Sequence, residues 1–170
     1  MISRMSYATS PLLDDTDIRI LAAIQRRGDI SNVELASLVH LSASQCARRL
    51  EQLRRAGFID RVVTLLDPLR FGLNTLVHTA ISLHHHEVES NERFREFLRN
   101  APEVLECYAQ TGDADYLLKI LVSDLEALSN FLDRLLAATG GVAAMRTSVV
   151  LKTIKQQTAL PLQDSSGSLA

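Results

Sequence analysis

Two serine-led segments, Ser31-x-x-Glu34 and Ser42-x-x-Gln45, begin eleven residues apart and restrict the possible folds more than anything else in the chain. Both have capping-box spacing: the serine hydroxyl satisfies the N3 amide, and the N3 side chain returns to the serine amide. The first helix so started has room for only about two turns before "HLS"; Leu35, Leu38 and Val39 give it an apolar face. The second, "SASQCARRLEQLRRAGF", places Cys46, Leu50 and Leu53 on one side and stops at Gly57. Upstream, "LDDTDIRILAAIQRRGD" reads as a bracing helix. Asp14 or Asp15 is its N-cap, Ile18, Leu21 and Ile24 face inward, and Gly28 ends it. Three short helices with a tight turn between the last two predict a helix-turn-helix domain over residues 13–60.

After Gly57 the apolar period changes. "FIDRVVTLLDP" is β-branched and predicts a strand, and Pro68 and Gly72 mark a hinge, so 61–73 reads as strand and linker. "TLVHTAISLHH" alternates as a strand does. "VESNERFREFLRNAP" is an amphipathic helix through Phe94, Phe97 and Leu98. "VLECYAQTGDADYLLKILV" is two strands about a Gly-Asp turn, "SDLEALSNFLDRLLAATGG" a helix, and "VAAMRTSVVLKTIKQQT" a last strand. The order β-α-β-β-α-β over 74–158 is ferredoxin-like. The fold class is therefore α+β, a helix-turn-helix (winged-helix-like) domain followed by a ferredoxin-like domain. Residues 1–12 are expected to be a flexible N-terminus and 159–170 a C-terminal tail.

With Cys46, Leu50 and Leu53 turned inward, the third helix leaves Ser44, Gln45, Arg48, Arg49, Gln52 and Arg55 outside, with Ser42 at its start. Arginine binds guanine bidentately, glutamine pairs with adenine, and serine contacts bases or phosphates. In such motifs the N-terminal part of the helix reads base edges. Arg54 and Arg55, at the far end, suit backbone phosphates. The other reading of the same residues is a solvated amphipathic helix; the preceding capped helix and tight turn favour DNA.

Charge restricts how DNA is held. The formal net charge is −2 and the pI about 6.2, so attraction to a polyanion must be local. Residues 1–67 carry nine basic and eight acidic side chains. One copy would bind weakly, and a dimer reading two half-sites is expected.

The stretches "LDDTDIRILAAIQRRGDISNVELASLVHLS", "RRLEQLRRAGFI", "LLDPLRFGL", "PEVLECYAQTGDADYLLKILV" and "GVAAMRTSVVLKTIKQQTALPL" resemble the Lrp/AsnC (feast/famine) family of transcriptional regulators, in order, from about residue 13 to 162. The resemblance implies a ferredoxin-like domain that dimerises, assembles into octamers or similar discs, and binds an amino-acid effector between dimers. No cofactor is expected. Carried over by position, Gly112, Asp113 and Asp115 match the family's "GDxD" turn. Leu76, Ala109, Leu125, Ser148, Val149 and Val150 fall where relatives line or influence the effector pocket. Two departures stand out. The third helix starts "SASQC" where relatives often carry a proline-containing "SPTPC"-like start, and Ser148 stands where some leucine-responsive members have tyrosine. From the residues alone, Asp115 and nearby backbone amides suit an amino acid's charged ends; equally, Asp113 and Asp115 suit a hairpin turn.

Other chemistries find little support. His84, His85, His86 and Glu87 are consecutive, so at most two point the same way, and a polar strand-to-helix loop explains them without a metal. His78 reads as an ordinary strand residue. Cys46 and Cys107 lack metal spacing and read as buried thiols. No nucleophile–base pair, phosphate-binding glycine loop or zinc-protease motif is present. The start "MISRMSYATSPLLDD" has no apolar export core, and no apolar run reaches membrane-spanning length. The expectation is a cytoplasmic homo-oligomeric regulator, not an enzyme, with double-stranded DNA, itself and a small amino acid as partners. The alternatives are a DNA-organising relative without an effector and, third, an enzyme or metal-dependent module.

Overall fold

The computed structural model describes residues 13–84 and 88–162, and for 88–90 the backbone alone. The expected N-terminal arm, His85, His86, Glu87 and the last eight residues lie outside the described residues. The chain divides into two compact units, Met1–Leu65 with Lys155–Ala170, and Leu66–Ile154.

The first unit is built from helices α1 (Asp15–Arg26), α2 (Asn32–Leu38) and α3 (Ala43–Arg55). All three start with a complete capping box, on Asp14/Asp17, Ser31/Glu34 and Ser42/Gln45. The turn between α2 and α3 depends on His40, whose φ of 56° is left-handed. That conformation lets the Leu41 amide reach back to the Ala36 carbonyl at 2.9 Å and closes α2. Gly57, at φ 79°, does the same for α3, with the Phe58 amide on the Leu53 carbonyl at 3.1 Å. Ile20, Leu21, Leu35, Ala36, Val39, Cys46, Leu50 and Leu53 form the core. Each large aliphatic side chain buried there contributes about 1.5–3 kcal/mol. Leu38, expected inside, is exposed.

Gly28 is not a left-handed stop. A Cβ there would meet Val62 Cγ1 at 3.3 Å, so glycine admits the returning chain. The strand expected over 61–67 does not form: these residues belong to no ladder among the described residues, and Val62, Val63, Leu65 and Leu66 are exposed. β-branched composition favours extension, but a strand exists only where a second backbone accepts its hydrogen bonds. No wing strand accompanies the three helices among the described residues. The expected tail also begins too early, because Gln25 holds Leu160 by both backbone groups, at 3.0 and 2.8 Å, and Leu162 packs on the core of the first unit.

The second unit opens on a 3₁₀ turn (Pro68–Phe71) closed by left-handed Gly72. Then come β1 (Thr75–Leu83), α4 (Val88–Asn100), β2 (Val104–Ala109), β3 (Tyr116–Val122), α5 (Leu125–Thr139) and β4 (Val142–Val149). The sheet is antiparallel, ordered β2-β3-β1-β4, as the ferredoxin-like reading requires. Alternation buries Val77 and Ile81 of β1 and Tyr116, Leu118, Ile120 and Val122 of β3 against Phe94 of α4 and Leu128, Phe131 and Leu135 of α5. The other sheet face carries Lys119 paired with Glu106 at 2.9 Å, and Glu106 also accepts the Tyr108 hydroxyl at 2.8 Å. That lysine holds the Glu106 carboxyl below its ordinary range.

β4 ends sooner than its apolar run suggests. Its partner β1 starts at Thr75, and the last rung is the Val150 amide on the Leu76 carbonyl at 2.9 Å. Cys46 is buried as expected, and burial pushes its thiol pKa up. Cys107 is exposed, because β2 is an edge strand paired on one side only.

Candidate functional site

The flank of α3 away from its core carries Ser44, Arg48, Gln52 and Arg55, at steps of four, four and three residues that keep them in one row. All four are exposed. Among the described residues neither Arg48, within the row, nor Arg54, beside its C-terminal end, has an ion-pair partner. Arg55 is held by Glu51 at 2.9 Å. Ser42 and Gln45 are committed to the cap: Gln45 Oε1 accepts the Ser42 amide at 3.2 Å and its hydroxyl at 2.9 Å. That cap fixes where the helix begins and leaves the amide nitrogen of Gln45 as its outward donor.

Arg49 departs from the expectation that it lies on the outer flank. Its Nη1 donates to Asp14 Oδ2 at 2.7 Å and to Asp17 Oδ1 at 2.8 Å, and its side chain is 30% exposed. The reason is helical geometry. Arg49 lies three residues after Cys46 and four before Leu53, on the seam that faces α1. There it meets the capping box of α1. Asp14 is held below the ordinary carboxylate range, first by the Asp17 amide and then by Arg49, and the two carboxylates hold Arg49 firmly protonated. Arg49 ties α3 to α1. The 46-49-53 spacing together with Asp14-x-x-Asp17 was the available signal.

In the second unit the expected effector residues separate into two groups. Ala109, Gly112, Asp113 and Asp115 gather where β2 ends and β3 begins, beside the end of β1. Gly112 takes φ 119°, and the Asp113 carbonyl accepts the Ser82 hydroxyl at 3.1 Å. Asp115 is half-buried: its amide donates to the Ile81 carbonyl at 2.9 Å, and its Oδ2 accepts the Leu83 amide at 2.8 Å. Asp115 therefore ties the start of β3 to the end of β1.

Leu76, Ser148, Val149 and Val150 sit at the opposite end, where β1 starts and β4 finishes, and Leu125 begins α5 near the same end. From Leu76 to Ser82 is six residues of strand, about 20 Å at the usual rise. One chain does not bring the two groups into one pocket. A cavity of about 200 Å³ adjoins the first group, lined by Leu83, Asn91, Arg95, Ala109, Asp115 and Tyr116. Among the described residues no set of three or more His, Cys, Asp or Glu side chains converges as a metal site. No helix there is long and apolar enough to cross a membrane.

Comparison with known proteins agrees with this architecture. Residues 13–60 match the model for a winged helix-turn-helix DNA-binding domain, and residues 76–160 the model for the Lrp/AsnC ligand-binding domain. The leucine-responsive regulatory protein of Escherichia coli is 37% identical over 151 residues, covering 89% of this chain and 92% of its own. The transcriptional regulator AzlB of Bacillus subtilis is 33% identical over 153 residues, 90% of this chain and 98% of its own. A transcriptional regulator of Neisseria meningitidis, solved as an L-Met complex, superposes with a TM-score of 0.85 at 41% identity, covering 89% of this chain and 97% of its own. An AsnC-family regulator of Agrobacterium tumefaciens gives 0.83 at 34% identity, with 88% and 97% covered. These relatives are transcriptional regulators and not enzymes, which disposes of the catalytic alternative. With a DNA-binding helix-turn-helix unit and a ligand-binding unit matched in order, and curated regulators aligned along about nine-tenths of its length, the chain belongs to the Lrp/AsnC family and is a DNA-binding transcriptional regulator.

Proposed function

We propose that α3 reads duplex DNA through Ser44, Gln45, Arg48 and Gln52, that Arg54 and Arg55 hold phosphates, and that Ser42 sets the helix N-terminus against the backbone. The second unit then joins copies of the chain and binds an amino acid that selects among their arrangements. The observation that carries the DNA reading is the exposed α3 row, with Arg48 in it and Arg54 beside its end, behind a doubly capped turn. Arg55 takes part by exchanging Glu51 for phosphate, a small loss for an exposed pair.

Self-assembly is supported by a run of apolar side chains that none of the described residues covers. Val62, Val63, Leu65, Leu66, Leu69 and Phe71 are 61–70% exposed. Such a run is costly in water and calls for a partner. The 20 Å separation of the two effector groups points the same way, since a second copy can bring one group to the other. An amino acid as ligand is supported by the L-Met bound to the meningococcal relative. A ligand acts here only by binding one arrangement of DNA heads better than another.

Gel shift against the DNA upstream of its own coding sequence tests the reading. Arg48→Ala is expected to weaken binding about tenfold or more, the loss of a base or phosphate contact of roughly 1–3 kcal/mol. Sedimentation should show the variant's assembly unchanged. Full binding by Arg48→Ala together with Gln52→Ala would remove α3 as the reading helix.

A further inference from the structure

We propose that the segment from Lys155 to Leu162 is a strap that holds the DNA-reading unit in its binding arrangement, with Gln25 of α1 as the positioning residue that catches it. The proposal rests on α3 as the reading helix. It adds the far end of the chain, a segment to which neither motif nor resemblance assigned a role.

Three helices this short make a small core that gains from further apolar cover. The chain leaves them, builds the second unit, and returns at Lys155 to complete the first. The return has a built landing. The Gln25 side-chain amide pairs with both backbone groups of Leu160, Nε2 donating to the carbonyl at 3.0 Å and Oε1 accepting the amide at 2.8 Å. One side chain thus gives the two-way pairing that a neighbouring strand would give. Pro161 then turns the chain. The Leu162 amide donates back to the Leu160 carbonyl at 2.9 Å, and Leu162 packs on the core of α1, α2 and α3. Residues 151–158 are all exposed, so the strap is held at its landing rather than along its approach.

The place of the landing gives it a consequence for DNA. Gln25 lies in the last turn of α1, and Asp14 and Asp17, which take Arg49 of α3, lie at its start. From Asp17 to Gln25 is about 12 Å of helix. α1 is therefore pinned at one end to the reading helix and at the other to the strap, and works as a bar between them. Both connectors leave the second unit at one end of its sheet, since β1 begins where its neighbour β4 finishes. A shift there reaches α1 through the strap as well as through the linker. Two exposed hydrogen bonds and one half-buried leucine make a closure that is populated yet able to open.

Gel shift with the DNA upstream of the coding sequence, well below each protein's melting temperature, compares the wild type with Gln25→Ala and with chains ended after Leu162 and after Ile154. The chain ended after Leu162 should bind as the wild type does. Gln25→Ala and the chain ended after Ile154 should bind about five- to tenfold more weakly, the low end of coupling between distinct sites, with assembly unchanged in sedimentation. Alanine keeps α1 intact, being the best helix former. Gln25→Glu, which accepts the Leu160 amide but donates nothing to its carbonyl, should fall between. Coupling is reciprocal, so DNA must tighten the strap as much as the strap tightens DNA. Hydrogen exchange at the Leu160 amide of the wild type should therefore slow about five- to tenfold on binding DNA. This amide exchanges by local opening, so general stabilisation of the unit by DNA leaves it unmoved. The exchange measurement needs no variant and decides even where the shortened chain fails to fold. Full DNA affinity in Gln25→Ala, or exchange at Leu160 unaltered by DNA, overturns the strap and leaves α3 as the reader. No shift of the wild type overturns both.

Discussion

Arg48 and Arg49 are neighbours in sequence, and the fold gives them different work. Arg49→Ala removes two hydrogen bonds from one guanidinium nitrogen, 2.7 Å to Asp14 and 2.8 Å to Asp17. The Asp14 side chain is half exposed, so its arm contributes little, at most about 0.5 kcal/mol. Asp17 is 17% exposed, and its arm, a charge-assisted bond shielded from water, contributes roughly 1 kcal/mol. The expected loss is therefore about 1.5 kcal/mol, or roughly 6–12 °C in the melting temperature of a domain this small. Arg49→Lys keeps the charge but not the planar fork and should recover about half.

The acid limb of the stability curve carries a second signature. Asp14 has its carboxyl pKa lowered from 3.8 in the folded chain. Its contribution is thus fully present above the unfolded value and is lost as pH falls through the folded one. Part of the wild type's loss of stability below about pH 4 should be missing in Arg49→Ala, because the guanidinium that helps the Asp17 amide lower the Asp14 carboxyl is gone. Arg48→Ala, by contrast, should change the melting temperature by no more than about 0.5 kcal/mol equivalent and should reduce the affinity for DNA. Thermal denaturation and gel shift on the two single variants decide the matter. An Arg49→Ala protein with wild-type melting and abolished DNA binding would refute the strut and return Arg49 to the reading surface.

Three further outcomes are expected. His40→Gly should raise the stability of the first unit by about 1 kcal/mol, since glycine adopts the left-handed turn conformation without the Cβ clash, and calorimetry checks it. Phe131→Ala, at a fully buried site 5.9 Å from the Phe97 ring, should cost about 3–5 kcal/mol, measurable by urea denaturation. Glu106→Gln should flatten the acid-side stability profile of the second unit: the Glu106 pKa is lowered by Lys119, so its contribution holds above the unfolded carboxyl value and fades below it. A pH-dependent melting series tests this.

The local devices were legible before any coordinates. Ser31/Glu34 and Ser42/Gln45 cap helices because the hydroxyl and carboxyl or amide groups needed lie within one turn of the same chain. The alternation of β1 and β3, the stops at Gly57 and Gly140, and the inward rows of α3 and α5 likewise depend on neighbours a few residues away. So did the α+β order of elements. The capping box of Asp14 with Asp17 was partly hidden, because aspartate at N3 is a less familiar partner than glutamate or glutamine.

What escaped the linear reading involves residues far apart along the chain. Arg49 faces two carboxylates more than thirty positions away, and Gln25 holds a backbone 135 positions away. The β-branched run at 61–67 stays unpaired because propensity supplies extension but not a second strand. The effector residues divide between two ends of a sheet because strand register, set by pairing, determines which positions meet. Sequence spacing governs contacts within a turn of helix or a step of strand, where the covalent chain fixes the geometry. Contacts across the core depend on how helices and strands pack to exclude water, and only the folded molecule reveals them.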